Sequence, residues 1–136
     1  MQITLHTDGG SLNNPGKAGI GFLVHSEDKL LHKHSEYIGI ASNNVAEYTA
    51  LIKALEYVQE HLSLDPKTDK LQVFADSELM IRQMLGQYKV KNADLRPLYE
   101  RAKDIENALP LPVKYTHVLR HLNADADALV KAALGR

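Results

Sequence analysis

The apolar residues first change period near Ser42, and that change limits the folds open to this chain. Before it, they alternate. Gln2 to Asp8 puts Ile3, Leu5 and Thr7 on one side and Thr4, His6 and Asp8 on the other, a strand pattern. Asp8-Gly9-Gly10-Ser11 breaks the alternation, and Asn13-Asn14-Pro15-Gly16 is turn chemistry. Two further strands are predicted, Gly19 to His25 and Leu30 to Ile40, with Glu27-Asp28-Lys29 as the polar turn of a hairpin. After Ser42, Ala50, Leu51, Ala54, Leu55 and Val58 recur at the spacing of one helix face. Ser42, Asn43 and Asn44 stand where an N-cap belongs.

Downstream, Leu71 to Ala75 reads as a short buried strand stopping at Asp76-Ser77, followed by a helix from Glu78 to about Leu85. Leu95, Leu98, Tyr99, Ala102, Ile105 and Leu109 mark another helix, bounded by Pro110 and Pro112. Val113 to Leu119 is the last strand, and Asn123 to Leu134 the last helix. A hairpin-rich start followed by strand–helix alternation implies an α/β fold, a mixed sheet with helices packed on it. No repeat or linker divides the chain, and 136 residues suit one domain, so residues 1–136 are expected to form a single unit.

Composition removes several classes of function. Cysteine is absent, which excludes disulfides, thiolate metal sites and cysteine nucleophiles, and fits a cytoplasmic protein. Apolar runs are far too short for a membrane span, and the amino terminus lacks a secretory pattern. The formal net charge of −1 gives no basic excess, which counts mildly against nucleic-acid binding unless a basic stripe is local.

Three acids sit where stability alone would not put them. Asp8 and Asp76 each end an apolar strand and precede a break, the place where open α/β sheets bind ligands. Glu47 lies three and four residues before Ala50 and Leu51, and so continues the inward stripe of its helix. A buried carboxylate needs a compensating cation or stays protonated. Convergent acids without cysteine suit a hard cation such as Mg²⁺ or Mn²⁺. Each acid also has a plain structural explanation: Asp8 as a turn residue, Asp76-Ser77 as a helix cap, and Glu47, Asp125 and Asp127 as helix-dipole acids.

Asp8-Gly9-Gly10-Ser11, with Asn14-Pro15-Gly16 and Gly19 and Gly21 after it, resembles the opening motif of type 1 ribonuclease H. Asn43-Asn44-Val45-Ala46-Glu47-Tyr48 resembles the second motif of that family, and Val73-Phe74-Ala75-Asp76-Ser77 the third. Arg120, Asn123 and Ala126-Asp127-Ala128-Leu129 resemble the fourth, whose spacing selects Asp127 over Asp125. The resemblance runs almost end to end. It implies a five-stranded mixed sheet of order 3-2-1-4-5 with the second strand antiparallel, flanked by helices. It implies two divalent ions, Mg²⁺ or Mn²⁺, held by catalytic Asp8, Glu47, Asp76 and Asp127. The implied activity is hydrolysis of the RNA strand of RNA–DNA hybrids, leaving 5′-phosphate and 3′-hydroxyl ends.

By the same resemblance, Gly10, Ser11, Asn14, Asn43 and Asn44 occupy substrate-contacting positions, though all five also suit turns and caps. The long basic protrusion of many relatives is missing. Gly86-Gln87-Tyr88-Lys89-Val90-Lys91-Asn92 takes its place, as in the compact branch, with Lys89 and Lys91 as phosphate contacts or as a solvated loop. His121 is the nearest candidate for a product-release histidine. No obligate protein partner is expected. Two other functions compete: a nucleic-acid-binding accessory protein with weak or no cleavage, and another nuclease of the same superfold.

Overall fold

The computed structural model describes all 136 residues. Strands β1 (Gln2–Ser11), β2 (Gly16–Ser26) and β3 (Lys29–Ala41) form a meander, and helix α1 (Asn43–His61) follows. Then come β4 (Lys70–Ala75), α2 (Glu78–Met84), α3 (Arg96–Ala108), β5 (Val113–His117), a 3₁₀ turn (Arg120–Asn123) and α4 (Ala124–Ala133). The sheet order is β3-β2-β1-β4-β5. β2 runs antiparallel to β1 and β3, while β1, β4 and β5 are parallel to one another. Order and strand directions match the predicted architecture.

Helix α1 starts where its sequence says it should. The Ser42 hydroxyl accepts from the Val45 amide at 3.1 Å, satisfying one of the free N–H groups of the first turn. The stripe Leu51, Leu55 and Val58 is fully buried with Ile3, Leu5 and Val73 of the sheet in one continuous core. Each such side chain contributes about 1.5–3 kcal/mol by leaving water. Helix α4 covers the other face of β2. There Gly21 lets it approach so closely that an added Cβ would lie 2.5 Å from the Leu129 Cβ.

Three boundaries differ from expectation. β1 continues through Gly9, Gly10 and Ser11, which pair with Ile20, Gly19 and Ala18. The two glycines carry the ladder on instead of ending it, so Asp8 is a strand residue and β2 begins at Gly16. β5 stops at His117, and the Val118 amide makes the last bond to β4 by donating to the Ala75 carbonyl. A 3₁₀ turn then spans Arg120–Asn123, taking in the unassigned residues and Asn123, where the last helix is expected to start.

Candidate functional site

The parallel ladder between β1 and β4 ends at the pair Thr7 and Ala75, so Asp8 and Asp76 occupy the next position of each strand. Register alone brings these two carboxylates together. Glu47 arrives from α1 by a close approach that only glycine permits. A Cβ on Gly9 would lie 2.3 Å from the Ala46 carbonyl carbon and 2.6 Å from the Glu47 nitrogen. With Gly9 in place, its N–H donates to Glu47 Oε1 at 2.9 Å. One oxygen each from Asp8, Glu47 and Asp76 then lies within 4.8 Å of the others.

Asp8 and Glu47 are buried, Asp76 is half-buried, and none of the three carries a basic partner. Asp8 is 6% exposed and Glu47 8% exposed. Burial, then the charge of Asp76, pushes the Asp8 carboxyl up to about 8, against a smaller opposing pull from the Gly9 amide. Burial, then Asp8 and Asp76, holds Glu47 well above the ordinary carboxylate range. Three crowded carboxylates with no basic partner, two of them raised, could together hold a metal ion. The set fits a hard divalent ion, whose preferred ligands are carboxylate oxygens.

Asp127 is placed differently. It lines the same cleft, a space of about 400 Å³ that also takes in Gly10, Ser11 and Asn43. However, its oxygens are engaged by protein cations: Arg120 Nη2 lies 3.3 Å from Oδ1 and Lys131 Nζ 3.0 Å from Oδ2. Burial works to raise its pKa, but Lys131 and Arg120 together outweigh it and hold the carboxyl below its usual value. Three of the four predicted acids therefore converge, and the fourth faces them while paired. Lys131 had no part in the sequence reading. Its only signal is the spacing from Asp127, one helical turn later.

For Asp8, Asp76 and Glu47 the structural explanations fall away, whereas Asp125 and Asp127 do stand in the first turn of α4. Ser77, not Asp76, caps α2, its hydroxyl accepting from the Met80 amide at 3.2 Å. Glu47 lies beyond the first turn of α1, which holds no acid. Asn123, 1% exposed, ties the last segment to the site: Nδ2 donates to the Thr7 carbonyl at 2.8 Å and lies 3.5 Å from Asp76 Oδ1.

Among the predicted substrate residues, Ser11 donates through both its amide and its hydroxyl to Asn43 Oδ1, at 2.9 and 3.1 Å. The Asn43 amide donates to Asn14 Oδ1 at 3.0 Å, so the Asn14 turn braces the start of α1. Asn44 is exposed on the first turn of α1 and is not part of the cleft lining. Lys89 and Lys91 are exposed on either side of buried Val90, along a second groove of about 700 Å³. His121 stands on the 3₁₀ turn and lines a neighbouring pocket with His6, His25 and Asp125, not the acid cleft.

A mixed sheet of this order, with acids converging from β1, α1 and the end of β4, is the ribonuclease H-like fold. The RNase H family profile matches residues 1–134, and the chain belongs to that family. It is similar to the bifunctional protein Rv2228c of Mycobacterium tuberculosis, 37% identical over 136 residues, covering 98% of this chain and 36% of that one. It is also similar to ribonuclease HI of Halobacterium salinarum, 35% identical over 134 residues, covering 98% and 64%. The chain thus spans only part of the length of these relatives. Among solved structures, LC11-RNase H1, isolated from compost by a metagenomic approach, matches with a TM-score of 0.90 at 42% identity, covering 98% of this chain and 96% of that one. LC11-RNase H1 in complex with RNA/DNA hybrid matches at 0.89 and 40%, with coverage of 98% and 96%.

Proposed function

We propose that this chain, acting as one domain, is a metal-dependent endonuclease that hydrolyses the RNA strand of RNA–DNA hybrids and leaves 5′-phosphate and 3′-hydroxyl ends. The observation that carries the reading is the cluster of Asp8, Glu47 and Asp76, its first two members buried and none of the three paired with a basic side chain. Membership of the RNase H family and the hybrid bound to LC11-RNase H1 support the choice of substrate.

Asp8, Glu47 and Asp76 would hold divalent ions, Mg²⁺ or Mn²⁺, with Asp127 as the fourth ligand. When bound, a pair of such ions supplies Lewis acidity for in-line attack of water on the phosphodiester and neutralises charge on the leaving 3′ oxygen. The rest is the work of the chain. Gly9 orients Glu47 through its amide, and Asn123 holds the end of β1 beside Asp76. Arg120 and Lys131 keep Asp127 ionised and facing the cleft. Gly10, Ser11 and Asn43 line the approach, where short polar groups and backbone amides sense 2′-hydroxyls without reading bases. Asn14 braces Asn43 from behind, and Asn44 would meet the strand outside the cleft. His121 has no assigned role in this scheme, since it opens onto a different pocket.

The test is incubation of the protein with labelled hybrid, duplex RNA, duplex DNA and single-stranded RNA, in Mg²⁺, Mn²⁺ or chelator. Metal-dependent cutting confined to the hybrid is expected. Binding without cleavage in either metal would overturn the proposal in favour of an accessory role, and cutting of DNA would point to another nuclease of the superfold.

A further inference from the structure

Tyr48 follows Glu47 on α1, and successive helix positions point about 100° apart. Glu47 reaches the acid cluster. Tyr48 turns into the core, where it is 1% exposed and its hydroxyl donates to Gln83 Oε1 at 2.6 Å. Gln83 lies near the end of α2, is 4% exposed, and places Nε2 3.5 Å from the Lys89 carbonyl oxygen. Tyr48 belongs to the main apolar core, where a purely apolar residue would need no partner. A buried polar pair is tolerated there only because each member satisfies the other.

The segment that Gln83 touches is the basic one. Val90 is 7% exposed and belongs to the core, and Arg96 Nη1 donates to the Val90 carbonyl at 3.3 Å. With Val90 anchored inward, Lys89 and Lys91 project outward on a backbone held from both sides. The groove beside them is lined by Tyr88, Arg96 and Tyr99 as well, a mixture of cations and rings suited to a phosphodiester strand. The helices close a rigid frame. Asp76 precedes α2 and Gln83 lies near its end, while Glu47 and Tyr48 share one turn of α1.

We propose that the Tyr48–Gln83 pair is a positioning device that fixes the distance between the acid cluster and the basic segment Lys89–Lys91. A strand gripped by the lysines is thereby set in register with the phosphate at the acids. The inference rests on the hybrid-nuclease reading and adds Tyr48 and Gln83 as residues that act on the substrate through Lys89 and Lys91.

The experiment measures hybrid binding across a salt series, and KM and kcat separately, for wild type, Gln83→Met, Tyr48→Phe and Lys89→Ala/Lys91→Ala, alone and combined. Circular dichroism first establishes that each variant is folded at the assay temperature. Gln83→Met and Tyr48→Phe are expected to raise KM by about three- to tenfold, to make the salt slope shallower by about 1, and to leave kcat within about twofold. In the double-lysine background they are expected to add nothing further, which a loss of general stability would not produce. Wild-type KM and salt slope in both single variants, or effects that add fully to the lysine substitutions, would overturn the proposal. Binding by wild type without cleavage would remove the hydrolytic reading alone, because the salt slopes still decide this one. Absence of hybrid binding by wild type would remove both.

Discussion

The carboxyl of Asp8 is held where the folded chain, by itself, prefers it protonated. Asp8 is raised to about 8, and Glu47 is raised as well, burial being the first cause of both. Between the ordinary carboxylate range and about pH 8, the folded state therefore binds protons that the unfolded chain has released. Stability of the metal-free protein must fall as pH rises through that window. A divalent ion replaces those protons. Adding Mg²⁺ is expected to raise the melting temperature more at pH 8 than at pH 5, and chelation to reverse the gain; equal shifts at the two pH values would contradict the assignment. Asp8→Asn removes the repelled charge while keeping the shape. It is expected to melt at the same temperature or higher in chelator at pH 8, and to cut hybrid about a thousandfold more slowly or worse. Retained cleavage in both Asp8→Asn and Asp76→Asn would remove the metal mechanism.

At the scale of elements, one contact between β1 and α1 decides whether Glu47 reaches its neighbours. Gly9→Ala would drive a methyl into the backbone of Ala46 and Glu47, which only movement of the helix relieves. The expected cost is about 3 kcal/mol in urea unfolding, with cleavage abolished alongside it. Gly10→Ala meets nothing nearer than 3.8 Å and should leave unfolding unchanged within about 0.5 kcal/mol. These neighbouring glycines mark what a sequence conceals. Period and caps are enough to place the strands and α1, because burial of Ile3, Leu5, Leu51 and Val58 on single faces follows directly from spacing. Gly9-Gly10 resembles a strand end because glycine breaks a pattern whether it makes a turn or admits a helix. Likewise Asp127 is legible as a member of the site, but its pairing with Arg120 and Lys131 is not. The Arg120 half of that pairing depends on how the 3₁₀ turn folds back on α4, a tertiary fact with no local periodicity. The same fold-back turns His121 towards His6 and His25 and away from the acids.

Across the whole molecule, charge is balanced at −1, so any grip on nucleic acid must come from a local cluster rather than from an overall field. Lys89→Ala/Lys91→Ala is expected to flatten the dependence of log K on log salt by up to about 1.8, from about 0.9 for each phosphate no longer neutralised. An unchanged slope would return both lysines to ordinary solvated positions. The cleft itself is assembled from distant parts of the chain. Asp8 and Asp127 belong to β1 and α4, and the Asn123 side chain binds the carbonyl of Thr7 across 116 positions. During synthesis, then, an emerging polypeptide can shape its meander early, yet it holds no complete four-acid cleft until the stretch around Asp127 has left the ribosome and folded back. A product cut short before that stretch would keep Lys89 and Lys91 but would lack both the Asp127 side of the cleft and the Asn123 tie to β1.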